Sequence, residues 1–364
     1  LEPNVVESRL IGPVRVVGAG LLGTSIGLGL TARGIDVILA DASPTNLSLA
    51  IDYGAGRAAT PADAPQLIVV CVPPDVTADI VARELDVFPD AIVTDVASVK
   101  LAPLTELLER GADVSRYIGS HPLAGRERGG PLAGRADLFI GRPWVVAAHD
   151  AISYQRASAV DALILDLGAT LVEMTPEEHD NAVALVSHVP QVVSTLMARR
   201  LTDAPASALN LAGGGVRDVT RVAASDPELW VQILGANPAP VREILLAVRD
   251  DLDRFIGALA DPAAPGARRQ VAEEIAGGNA GVARLPGKHG QDRRYASITV
   301  MVDDTPGQLG RLFNEMGAVG VNLEDLRLEH SPGAQIGLAE ISILPEAVTR
   351  LTTELAARGW RIVG

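Results

Sequence analysis

The run VRVVGAGLLGTSIGLGL, residues 14–30, decides the fold. Four β-rich apolar residues lead directly into Gly18-Ala19-Gly20-Leu21-Leu22-Gly23, and the residues that follow have helical character. Glycines in such a turn let the backbone approach a pyrophosphate, and the free N–H groups of a helix N-terminus favour its charge. Asp41 closes the next apolar run, DVILA (36–40), eighteen residues beyond Gly23. A carboxylate there accepts a hydrogen bond from a ribose hydroxyl and repels a 2′-phosphate, which favours NAD over NADP. A glycine-rich structural turn is the alternative, and the coincidence of strand, glycines, helix and acid argues against it.

Working outward, the apolar runs LIVVCV (67–72), AIVTDV (91–96), RYI (116–118) and PWVVAA (143–148) alternate with amphipathic segments such as KLAPLTELLERG (100–111). Strands alternating with helices in this way indicate an α/β Rossmann-type, doubly wound parallel sheet, assigned to residues 10–150. Val72 and Pro73, where LIVVCV ends, complete the expected cofactor set of Gly18, Gly20, Leu22, Gly23 and Asp41.

From 151 the pattern turns helical, with a single strand-like run, TLVEM (170–174). A long helix then starts with Thr175 as N-cap, Pro176 in the first turn and Glu178 at the capping-box position. Pro190 must kink or interrupt it. Further helical segments reach about 259, and ADPAAPGARR (260–269) and GGNAGVARLPGKHGQDRR (277–294) read as connections. Residues 151–290 are thus expected to form an all-helical second domain. The last part, 293–364, reads strand, helix, strand, strand, helix, strand, a small βαββαβ ferredoxin-like module.

Composition narrows the function. The chain has 364 residues, 48% of them hydrophobic and 21% charged, which suffices for two or three cores. A net charge of −14 without basic clusters argues against nucleic acid or an anionic membrane as partner. No apolar run approaches the ~20 residues of a membrane span, and LEPNVVESRL lacks the pattern of a signal peptide. One cysteine, Cys71, lies within an apolar run, so no internal disulfide can form. A cytoplasmic enzyme is the expectation, with any anionic ligand held by a local cationic pocket.

Several residues could supply chemistry. His121, in GSHPLAG (119–125), and Ser98, after AIVTDV, both follow ends of expected strands, where doubly wound folds bind their ligands. A neutral imidazole suits the removal of a hydroxyl proton as hydride leaves, although a loop histidine bonded to backbone fits position alone equally well. In GGGVRDVTRVAASDPELW (213–230), Arg217 and Arg221 share a helix face and could grip a carboxylate, with Trp230 beyond them. His179 and His188 are nine residues apart and point to opposite sides of a helix, and no histidine pair has i,i+4 spacing, so no metal site is expected. His188 could line a pocket where Pro190 opens the helix.

Together, VGAGLLGTSIG (17–27), SVK (98–100), GSHPLAGRERGG (119–130), SHVPQ (187–191) and GGGVRDVTRVAASDPELW resemble the prephenate/arogenate (cyclohexadienyl) dehydrogenase family. VMVDDTPGQLGRLFNEMGAVGVNLEDL (300–326) resembles an ACT domain. The family resemblance implies His121 as the catalytic histidine assisted by Ser98, and Arg221 on a substrate carboxylate. It places Gly214, His188 and Trp230 at other pocket positions and implies a homodimer formed through the helical domain. The reaction implied is NAD-dependent oxidative decarboxylation of prephenate, with arogenate as the alternative substrate. The ACT resemblance implies an amino-acid effector, tyrosine, near Asp304 and Asn322. The chain departs from the family at Arg126, where many relatives carry a neutral residue.

Two rivals are set aside on particular residues. A 3-hydroxyacid dehydrogenase uses a lysine base in its helical domain, and no lysine occurs between 151 and 287. A non-catalytic NAD and amino-acid sensor would not need His121, Ser98 and Arg221 together.

Overall fold

The computed structural model describes residues 8–125, 129–285, 295–330 and 336–363, with the side chains of 329 and 330 left aside. By contacts the chain divides into two compact units, Leu1–Val193 with Val222–Val248, and Ser194–Arg221 with Arg249–Gly364.

In the first unit, β1 (Val14–Val17), β2 (Val37–Ala40), β3 (Arg57–Ala58), β4 (Leu67–Val70) and β5 (Ile92–Asp95) form a parallel sheet of order β3-β2-β1-β4-β5. The helices between them are α1 (Leu21–Thr31), α2 (Pro44–Asp52) and α3 (Pro74–Val87), and α4 (Leu101–Glu109) follows β5. The order reverses between β1 and β4, so the glycine turn after β1 and the Cys71-Val72-Pro73 turn after β4 flank the crevice where such sheets take ligands. Val14, Val16, Leu67 and Val69 are fully buried, as near-continuous apolar strands covered on both faces must be. The two-residue edge strand β3 is an addition to the expected set; RA carries no apolar run by which to recognise it.

A second, three-stranded sheet departs from expectation. The run RYI does not form the strand; β6 is Gly119–Pro122, so His121 lies on a strand rather than after one. β6 pairs antiparallel with β7 (Pro143–Ala147), and β7 pairs parallel with β8 (Thr170–Met174) across α5 (Tyr154–Asp166). A single bridge, Val93 to Tyr117, leads from β5 towards this sheet. The expected boundary at 150 is therefore corrected. TLVEM is β8, and Val160, Leu163, Ile164 and Leu167 of the preceding segment share one core with Val14, Val16 and Leu39. The reason is pairing: an extended run beside an open strand edge gains a hydrogen-bonded ladder that a helical domain cannot offer.

The helix expected at Thr175 starts as the sequence dictates, with Thr175 and Glu178 forming both halves of a capping box. α6 (Pro176–Val183) passes into a π-helical turn, Ala184–His188, before α7 (Val189–Arg199). Pro190 lacks an N–H and its ring crowds the preceding turn, and the wider π turn absorbs both. Among the described residues this run, Pro176–Arg199, is the one helix long and apolar enough to cross a membrane by length and composition. Its His179, Asp180 and His188 are buried against other parts of the protein.

Four short or long helices follow: α8 (Ala206–Leu209), α9 (Gly214–Thr220), α10 (Pro227–Ala236) and α11 (Pro238–Ala260). α12 (Ala267–Val282) runs through Gly277, Gly278 and Gly281, so the first part of the expected second connection is helical, and the rest, from 286, lies outside the described residues. In the second unit β9 (Ala296–Asp303), α13 (Gln308–Ala318), β10 (Asp325–His330), β11 (Ile336–Ile343), α14 (Val348–Ala357) and β12 (Arg361–Val363) realise the βαββαβ order. They form an antiparallel sheet of order β10-β11-β9-β12, over a core that includes Val300, Ile341, Leu312 and Leu351.

Candidate active site

The glycine turn has the shape its sequence calls for. Gly18 adopts φ +103°, and a Cβ there would lie 2.3 Å from the Cys71 carbonyl oxygen. A Cβ on Gly23 would strike the Gly18 carbonyl oxygen at 1.9 Å, so Gly23 lets α1 pack onto the turn. Gly20, the N-cap of α1, meets nothing within 4 Å, and the first turn of the helix carries no acidic residue. A side chain at Gly20 would thus obstruct only something outside the protein, at the helix end that attracts anions. The Asp41 carboxylate accepts from the backbone N–H of Ala19 at 2.5 Å and of Ser43 at 2.7 Å, tying the end of β2 to the glycine turn. These residues fit a dinucleotide. Val72 is half-buried and Pro73 is exposed at the N-cap of α3.

Below the ends of β4 and β5 lies a buried charged cluster. Lys100 forms an ion pair with Asp95, both side chains having no exposure, and the Tyr117 hydroxyl donates to Asp95 Oδ2 at 2.7 Å. Burial pushes the Lys100 ammonium below its ordinary value despite Asp95, and raises the Tyr117 hydroxyl well above its own. Gly119 fits closely at the start of β6, because a Cβ would come within 3.1 to 3.2 Å of the Lys100 chain, the Tyr117 hydroxyl and Asp95 Oδ2. Ser120 then donates to the Asp95 carbonyl at 2.9 Å and accepts from Thr94 at 3.0 Å. These bonds hold His121 beside the carboxyl end of β5, from which half-buried Ser98 also emerges.

His121 Nδ1 lies 2.9 Å from His179 Nε2 in α6, with the two rings edge to face. His179 Nδ1 lies 2.7 Å from Asp180 Oδ1. Asp180 also accepts from the backbone N–H groups of Lys100 at 2.8 Å and Leu101 at 3.0 Å, so it caps α4 and anchors α6 to it. Burial is the first cause that holds the His121 imidazole well below its usual pKa, followed by His179, Lys100 and His188. His121 is therefore neutral at pH 7. His188, in the π turn, is 1% exposed and lowered to about 4, chiefly by burial. Its Nδ1 lies 3.3 Å from Asn237 Nδ2, which donates at 2.8 Å to the Asp180 carbonyl, and its ring meets that of Trp230 edge to face.

His121, Ser98, His188 and Trp230 thus all belong to the first unit. Gly214 opens α9 and Arg221 begins a single 3-10 turn after it, both in the second unit, where Arg217 and Arg221 are exposed. Arg126 lies outside the described residues. In the C-terminal module a cavity of about 380 Å³ is lined by Asp303, Asp304, Thr305, Pro306 and Gly307, with Leu328 and Gly337 from the sheet. Asn322 does not line it. It precedes β10 instead of opening it, and its amide donates to Glu324 at 3.1 Å.

Two family models cover most of the first 273 residues: the nucleotide-binding domain of prephenate dehydrogenase matches 26–173, and its dimerization domain matches 175–273. The chain is 36% identical to a Streptomyces niveus protein named "Probable prephenate dehydrogenase NovF", an alignment spanning 95% of this chain and 98% of that one. The chain belongs to the prephenate dehydrogenase family. Among solved structures, arogenate dehydrogenase of Synechocystis matches with a TM-score of 0.61 at 26% identity, over 74% of this chain and 99% of that one. Prephenate dehydrogenase of Aquifex aeolicus matches in fold with a TM-score of 0.65 at 24% identity, over 75% of this chain and 99% of that one.

The join between the two prephenate dehydrogenase models falls at the end of β8, where the pairing of TLVEM also puts it. His179, Asp180, Lys100 and Asp95 were missed as site residues. In the sequence His179 stands out only beside His188, as a metal ligand would, whereas its ring meets a histidine 58 positions away. The one local signal is the His-Asp pair near the start of a capped helix, EEHD (177–180).

Proposed function

We propose that this protein is an NAD-dependent prephenate dehydrogenase, giving 4-hydroxyphenylpyruvate, carbon dioxide and NADH. The observation that carries the reading is a neutral, half-buried His121, bonded to a second histidine and held beside the carboxyl end of a nucleotide-binding sheet. Bound NAD supplies the hydride acceptor. His121 takes the 4-hydroxyl proton as hydride leaves C4, and Ser98 bonds the same hydroxyl. The ring carboxylate departs as carbon dioxide, its electron pair completing the aromatic ring, and the proton held by His121 returns to the phenolate oxygen. The family resemblance assigns substrate contacts to Arg221, Gly214, His188 and Trp230, and a guanidinium suits a carboxylate. Cofactor contacts are made by Gly18, Gly20, Leu22, Gly23, Asp41, Val72 and Pro73.

The reading extends to a homodimer. α11 carries the exposed apolar residues Val248, Leu252, Ile256 and Leu259 at intervals of three and four, a stripe suited to another helix, within the stretch matched by the dimerization-domain model. The C-terminal module is assigned as an ACT domain that binds tyrosine in the cavity at Asp304. Gly307, at φ +93°, opens α13 there, and a helix N-terminus beside two aspartates suits a zwitterion. Removing 293–364 should leave catalysis intact and abolish any tyrosine inhibition that is not competitive with substrate. Undiminished inhibition in the truncated enzyme would place tyrosine at the active site.

Steady-state turnover with prephenate and arogenate, each with NAD and NADP, tests the assignment. The expected outcome is NADH formation with the highest kcat/KM for prephenate and NAD. Absence of turnover in all four combinations would make the protein a binding module, and a preference for arogenate would move it to the alternative substrate.

A further inference from the structure

We propose that His179 and Asp180 are positioning residues that fix His121 as the tautomer with its proton on Nδ1, leaving the lone pair of Nε2 to face substrate. The inference rests on the dehydrogenase reading only for what Nε2 then does. Asp180 Oδ1 receives the Lys100 N–H at 2.8 Å and lies 2.7 Å from His179 Nδ1, while its Oδ2 receives the Leu101 N–H at 3.0 Å. An ionised carboxylate only accepts, so His179 carries its proton on Nδ1. A neutral His179 then presents a lone pair at Nε2. Two nitrogens 2.9 Å apart need one proton between them, so His121 must supply it from Nδ1. Each link leaves one choice for the next.

The chain of three is also held rigid. His179 and Asp180 lie near the start of α6, where the capping box at Thr175 and the His179 N–H to Thr175 carbonyl bond fix the backbone. Asp180 is locked to α4 by two N–H groups and by Asn237 on its carbonyl. His179 has no exposure and Asp180 3%, so water does not compete for these bonds. When His121 Nε2 takes the hydroxyl proton, the new positive charge spreads through Nδ1 to His179 and is met by the Asp180 carboxylate. The proton returns by the same path to the phenolate, so no net proton is consumed by the relay.

The test reads the tautomer directly, by ¹⁵N NMR of the histidine rings in the full-length protein with NAD bound, at pH 7.5. The expected result for His121 is a protonated Nδ1 and an unprotonated Nε2. A protonated Nε2 would overturn the inference. In kinetics, His179→Leu, which offers no acceptor, should lower kcat by ~10²-fold or more with KM and NAD affinity within about threefold, because a histidine held in the wrong tautomer loses up to about 10⁴-fold. His179→Gln, whose amide can occupy the Nε2 position, should recover part of that loss. A His179→Leu enzyme with wild-type kcat would contradict the role. Because the tautomer is read without prephenate, it stands or falls apart from the substrate assignment, which is decided by wild-type turnover with prephenate and arogenate.

Discussion

Lys100 and Asp95 form an ion pair from which water is excluded on all sides, and Tyr117 closes it with a hydrogen bond to the second carboxylate oxygen. The pair lies directly under Gly119, two residues from His121. Removing one partner leaves the other as an unpaired buried charge. Lys100→Met should therefore destabilise the protein by about 3–5 kcal/mol, read as a fall in the urea midpoint. A change under about 1 kcal/mol would show that the charges are not worth what their burial implies.

With His121 as the proposed base, its protonation state sets the acid limb of activity. A base must be unprotonated, and burial with His179, Lys100 and His188 nearby holds its pKa well below 6.5, while the Asp95 and Asp180 carboxylates sit behind Lys100 and His179. Lowering the pH through 6.5, where an ordinary histidine protonates, should leave kcat/KM nearly constant, with the loss appearing only at more acid pH. A limb centred at or above 6.5 would mean that His121 is not the group being titrated, or is not desolvated.

For substrate anchoring the relevant change is Arg221→Ala. A carboxylate left without its charge-assisted partner should raise KM for prephenate by on the order of 10-fold or more, with kcat less affected. Unchanged KM would transfer the role to Arg217 or Arg126.

In the proposed reading, cofactor choice rests on Asp41. Its carboxylate already accepts from Ala19 and Ser43, which fixes it at the end of β2 with lone pairs to spare for a ribose hydroxyl. Asp41→Asn should narrow the ratio of kcat/KM for NAD over NADP by about 10-fold, the effect of removing one like-charge repulsion. A wild type that prefers NADP would refute the reading of this strand end.

How far the sequence carried depends on the range of the interactions. The glycine turn, the capping box at Thr175 and the βαββαβ order of the tail were legible because each is set by neighbours along the chain: Gly18 needs positive φ, Thr175 needs Glu178 three residues on. The strand at Gly119–Pro122 and the place of TLVEM were not, because both depend on a partner edge supplied by β7. Glycine and proline have poor strand propensity, and the close approach of Asp95, Lys100 and Tyr117 to Gly119 shows only once the strand is in place. The pairing of His121 with His179 spans 58 residues and leaves no periodic trace. The family resemblance marks His188 and Trp230, and Pro190 also marks His188, but the edge-to-face contact of the two rings shows only in the fold.

The central claim is that His121 acts on the hydroxyl proton of prephenate and not on the cofactor. Its most direct test pairs two measurements on His121→Asn: NAD affinity by titration calorimetry and kcat with saturating prephenate and NAD. The account predicts an NAD Kd within about twofold of wild type and a kcat lower by ~10²-fold or more, the contribution of a general base. A variant with wild-type kcat would remove His121 from the mechanism, and a lost NAD affinity with it would make the residue part of the cofactor site instead.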